Sequence, residues 1–122
     1  MAAPNILSAT SIYGKSVGAA LDTTLTTTLL TCASNKVLKI NSIIVANVDG
    51  SSAADASVTF YDSSATASYR VASTVTVPAD STLIVLGKDS PIYLEEADEI
   101  RGGASANSDL EIVISYDELD DA

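Results

Sequence analysis
The chain has 122 residues, and 16 acidic side chains against 6 basic ones leave a net charge of −10, with no histidine. That balance excludes a nucleic-acid grip, which needs clustered Lys and Arg, and disfavours anionic membrane surfaces. The missing histidine closes the usual hydrolytic triads and zinc sites.

Hydrophobic residues supply 47% of the chain but aromatics only 5%, so one domain of this length must build its core from Val, Ile, Leu and Ala. A single cysteine, Cys32, forbids an internal disulfide and is expected as a small buried apolar residue. No basic segment precedes an apolar one at the start, and no apolar run approaches the ~20 residues of a bilayer span. A soluble product made in a cytoplasm is the expectation.

Residues 1–10 hold Pro4 and an isolated apolar pair, Ile6-Leu7. Residues 11–20 carry Ile12, Tyr13 and Val17 but break at Gly14 and Gly18, which suits an edge strand or an extended arm laid on a neighbour. Six threonines in residues 21–31 favour a pleated strand from about Thr24 over a helix, with Leu25, Thr27 and Leu29 on one face. A turn at residues 32–35 then leads into the best-patterned stretch, NKVLKINSIIVANVDG, residues 35–50. Its even positions (Leu38, Ile40, Ser42, Ile44, Ala46, Val48) read as the core face, and Asp49-Gly50 stops it. Its odd positions (Val37, Lys39, Asn41, Ile43, Val45, Asn47) turn apolar together in the middle, at Ile43 and Val45, which marks a second dry surface.

Farther on, SVTFY at 57–61 alternates, with Val58 and Phe60 inward. Tyr69, Val71, Ser73, Val75 and Val77 line one face before Pro78, which cannot donate to a ladder. TLIVL at 82–86 is apolar on both faces and reads as a central or covered strand, followed by a short strand at Ile92-Tyr93-Leu94. Pairing resumes briefly at 99–101, GGASANS at 102–108 reads as a flexible loop, and DLEIVISY at 109–116 sends Leu110, Ile112, Ile114 and Tyr116 inward. The sum is an all-β protein, a single antiparallel β-sandwich or jelly-roll-like domain with an extended N-terminal arm. Its expected parts are an arm or edge strand over 1–20, the sandwich over 21–117 and a frayed acidic tail over 118–122.

No catalytic or cofactor motif stands out, and neither an enzyme nor a cofactor is expected. Glu95, Glu96, Asp98 and Glu99 form an acidic corner best read as solvated. Calcium would be the alternative there, or at Asp117, Glu118, Asp120 and Asp121, although EF-hand spacing is missing. What remains is surplus apolar surface. Ile6, Leu7, Ile12, Tyr13, Ile43, Val45, Ile84 and Leu86 are the expected interface residues, because large apolar surface on a small domain marks a contact.

Three phrases, NKVLKINSIIVANVDG, PIYLEEADEI and LEIVISYDEL, carry a resemblance to small β-rich virion structural proteins of tailed bacteriophages of aquatic bacteria. It implies a non-enzymatic capsid decoration (cement) protein, located on the virion after synthesis in the host cytoplasm. Such a protein would bind the major capsid protein or another virion protein, as a homo-oligomer (trimer or dimer), without nucleic acid or membrane. A head–tail neck or tail accessory protein is the alternative within that class, and a carbohydrate-binding module of a host-recognition device the alternative outside it.

Overall fold
A computed structural model of the chain describes residues 11–120. They form nine β-strands and no helix: β1 (Ser11–Ala20), β2 (Thr28–Thr31), β3 (Lys36–Asn47), β4 (Ala54–Asp62), β5 (Ala67–Val77), β6 (Thr82–Leu86), β7 (Ile92–Leu94), β8 (Glu99–Ala104) and β9 (Leu110–Asp120). A five-stranded sheet runs β1-β9-β3-β6, with β7 also on β3, and a four-stranded sheet runs β2-β8-β4-β5. Every pairing is antiparallel, and the two sheets enclose one core, which makes a β-sandwich.

The core is aliphatic, as the composition requires. Ile40, Ile43, Val45, Ile112 and Ile114 face Ala56, Val58 and Ile100 of the opposite sheet, all essentially without solvent contact. Each large aliphatic side chain contributes roughly 1.5–3 kcal/mol by leaving water, so the fold closes without tryptophan. Asn47, also buried, ties the layers together: its Nδ2 donates to the carbonyls of Ser52 (3.0 Å) and Val77 (2.9 Å), and its Oδ1 accepts from the N–H of Asp49 (2.9 Å).

One local feature decides which side chains reach that core. Ile40 pairs with Tyr116 and Ser42 with Ser115, so Asn41 is an extra residue on β3 against β9, a β-bulge. Before it the even positions, Leu38 and Ile40, point inward; after it the odd positions, Ile43, Val45 and Asn47, do. The other edge of β3 changes partner at the same place, from β7 at residues 38–40 to β6 at residues 43–46. A bulge bends and twists its strand, which suits one long strand serving two short neighbours.

Other sequence expectations meet the structure in different ways. Residues 11–20 are an edge strand, paired along their whole length with β9. Strand β2 starts at Thr28 rather than Thr24, because residues 22–27 leave the sheet as a loop. Strand β6 is an edge strand, not a central one. Gly102, Gly103 and Ala104 are buried members of β8 rather than a flexible loop. Strand β9 continues to Asp120, so residues 118–120 belong to the sandwich and not to a frayed tail. In β5, two register irregularities against β4 put Ala72 opposite Val58, which breaks the expected single face from Tyr69 to Val77.

The loop over residues 22–27 is held beside β8 by two backbone bonds, Ala104 N–H to Asp22 O (2.7 Å) and Gly102 N–H to Thr27 O (2.9 Å). Its middle folds over Gly103. A Cβ at Gly103 would stand 2.6 Å from the Thr24 carbonyl oxygen and 2.9 Å from the Leu25 Cα, so only glycine admits the crossing.

Candidate functional site
The outer face of the five-stranded sheet has no layer above it among the described residues. The registers place Ile84 of β6, Ile44 of β3 and Val113 of β9 side by side, with Gly18 of β1 completing the row. Directly opposed side chains in such a ladder lie about 4.5–5.5 Å apart, so the row is one continuous apolar stripe. Ile84 is 69% exposed, Val113 45% and Ile44 37%.

The flanking rows are small and nearly uncharged. On one side stand Ser42, Ser115 and Ser16, with Ser16 Oγ and Ser115 Oγ 3.2 Å apart. On the other stand Thr82, Ala46, Glu111 and Ala20. Val48, 52% exposed, extends the apolar surface just past β3. Small residues on β1 and β9 leave the stripe without tall neighbours, and Glu111 is the one charge across these three rows. In a chain of net charge −10, a face this neutral is the part another molecule approaches with the least electrostatic cost.

The expected interface residues divide accordingly. Ile43, Val45 and Leu86 are core residues, because the bulge at Asn41 turns the odd positions of β3 inward and Leu86 pairs with Ile43. Ile84 is exposed on the open face. Ile12 and Tyr13 are exposed on the edge strand β1, away from the stripe. Ile6 and Leu7 lie outside the described residues. Sequence reasoning set Val113 outward without counting it as a contact and placed Ile44 and Val48 on the core face, although one signal pointed to the exchange of faces on β3. The adjacent polar pair Asn41-Ser42 interrupts the apolar run of β3 and marks the change of phase.

The acidic corner is built, not merely solvated. Asp98 is buried, its Oδ1 accepting from the Ser63 N–H (2.9 Å) and its Oδ2 from the Glu95 N–H (3.0 Å). Glu96 Oε1 accepts from the Asn35 N–H (2.8 Å), and Glu99 Oε1 takes both Thr28 Oγ1 (2.7 Å) and Arg101 Nε (2.8 Å). The bond from Arg101 holds the Glu99 carboxyl below its ordinary value, against a smaller upward push from burial. Near the end of β9, Glu118 pairs with Lys15 (2.9 Å) and Asp120 with Lys36 (2.8 Å). Those bonds raise both lysines. Among the described residues no cluster of three or more carboxylate, thiol or imidazole groups is placed to hold a metal.

Cys32 is buried, with its thiol 3.2 Å from the Lys36 carbonyl oxygen. Burial pushes the thiol up to about 11, so the reactive thiolate is scarce at neutral pH. What the open sheet face can do is bind, by removing its stripe from water. Comparison with protein-family models, curated proteins and solved structures finds no match to this chain.

Proposed function
We propose that the chain is a non-enzymatic structural protein of a phage virion, a capsid decoration protein that binds across joints between capsid subunits and stiffens the shell. It works as a symmetric homo-oligomer on the particle. The observation that carries the reading is the uncovered row Ile84–Ile44–Val113 on a nearly neutral sheet face. Apolar surface of this kind on a small domain marks a contact with another macromolecule. The resemblance carried by the three sequence phrases supplies the particle, and the sheet supplies the adhesive surface.

The test is loading onto purified phage particles that lack the protein, followed by imaging and copy counting. Wild-type protein is expected on the outer surface in numbers comparable to the major capsid subunits. The double variant Ile44→Asp/Ile84→Asp is expected to fold and fail to load. A protein absent from particles, or found inside beside the genome, overturns the reading, as does a double variant that loads normally. A few copies at the head–tail joint would move the assignment to a neck or tail accessory protein.

A further inference from the structure
The chain's two arginines stand together on the other face of the molecule. Thr59 of β4 pairs with Arg101 of β8 on one side and with Arg70 of β5 on the other, so the three form a single row across the outer face of the four-stranded sheet. Neighbouring strands lie about 4.8 Å apart, which sets the two arginine stems about 10 Å apart with the threonine between them. The loop that crosses Gly103 supplies Leu25 and Thr26 as a wall, and Ser68 completes a cleft of about 90 Å³.

The two arginines are held differently. Arg101 is fixed by its Nε bond to Glu99 (2.8 Å), and its guanidinium carbon lies 3.8 Å from the centre of the Tyr61 ring. Arg70 is exposed and has no ion-pair or hydrogen-bond partner for its side chain among the described residues. The Thr59 hydroxyl likewise has no partner among them and opens to solvent in the cleft. An unpartnered hydroxyl in a cleft between two arginines is a donor set that an anionic acceptor would complete.

The geometry points to a carboxylate-binding site, with Arg70 and Arg101 closing on the two oxygens from either side and Thr59 donating from the floor. Local charge selects the ligand. Two guanidinium groups against the one carboxylate of Glu99 leave a single positive charge, which matches a monoanion and not a phosphate dianion. The net charge of −10 on the whole chain disfavours the dianion further. The size of the cleft suits a carboxylate with one or two carbons, as in acetate or the end of an acidic side chain. This site lies on the opposite sheet from the apolar stripe and stands or falls independently of it.

The test is a titration of isotope-labelled full chain followed by NMR, with sodium acetate against sodium chloride at constant ionic strength. Saturable shifts are expected at the amides of Thr59, Ser68, Arg70 and Arg101 and at the Arg101 Nε resonance, with inorganic phosphate weaker than acetate. Arg70→Gln is expected to weaken acetate binding about tenfold or more while leaving the rest of the spectrum in place. A short poly-glutamate peptide distinguishes the source: clearly tighter binding than acetate assigns the carboxylate to a macromolecular partner, and equal binding to a free small acid. Shifts that never saturate, persist unchanged in Arg70→Gln, or favour phosphate overturn the proposal.

Discussion
The two outer faces of this sandwich are opposites. One sheet is crossed by a loop, bears both arginines and is cut by clefts, one of about 230 Å³ and one of about 90 Å³, on either side of Leu25. The other carries glycine, alanine, serine, threonine and one glutamate around a row of branched aliphatics. Both faces belong to one short chain with one core, so the core does not explain the difference. Two backbone devices do. Gly103 lets a loop lie on one sheet, and the bulge at Asn41 delivers Ile44 to the surface of the other. A continuous apolar row has thus been left uncovered on one side, and polar donors gathered on the other.

The sharpest way to break this comparison is to set neighbours on β3 against each other. Ile43→Asp places an unpaired charge in the core and is expected to unfold the domain, a loss of about 4 kcal/mol or more by chemical denaturation. Ile44→Asp, one residue on, is expected to change stability by no more than about 0.5 kcal/mol. If both unfold the protein, or neither does, the phase change at Asn41 is wrong. Next in size, Asp98→Ala strips the acceptors from two backbone N–H groups at the acidic corner. A loss of about 2–4 kcal/mol is expected, whereas a solvated corner would lose almost nothing.

Gly103→Ala tests the covered face. Its new methyl group has to displace backbone at Thr24 and Leu25, with an expected loss of about 1–3 kcal/mol and faster amide exchange over residues 22–27. Glu99→Gln is a smaller loss than that of Gly103→Ala or Asp98→Ala, about 1 kcal/mol at neutral pH. Its sign with pH is fixed by the lowered carboxyl. The contribution is fully present above the ordinary glutamate value of about 4.3 and is lost as pH falls through the depressed one. The stability gap between wild type and Glu99→Gln should therefore close in acid. A gap that widened there would remove the Arg101 bond as its cause.

The existence of most strands was legible in the sequence, because β-branched alternation and turn residues are local signals. Strand β9 kept one phase from Leu110 to Tyr116, and its inward and outward residues match the reading position by position. Strand β3 did not, since period two is informative only while the phase persists, and one inserted residue exchanges the faces. Gly102-Gly103 suggested flexibility, while the structure uses glycine there for close backbone approach, which no local pattern reveals. The arginine row was invisible for a further reason. Arg70 and Arg101 are 31 positions apart and meet only because β5 and β8 both pair with β4.

The order of the five-stranded sheet also constrains how the molecule is made. Strand β9, the last to emerge from the ribosome among the described ones, sits between β1 and β3, which have no partner in each other. Until those final residues are available, this half of the sandwich has no middle, and the early strands expose unpaired edges. Closure of this sheet is therefore expected only once β9 has been made, and a chain truncated before Leu110 is expected to lack the strand that joins β1 to β3.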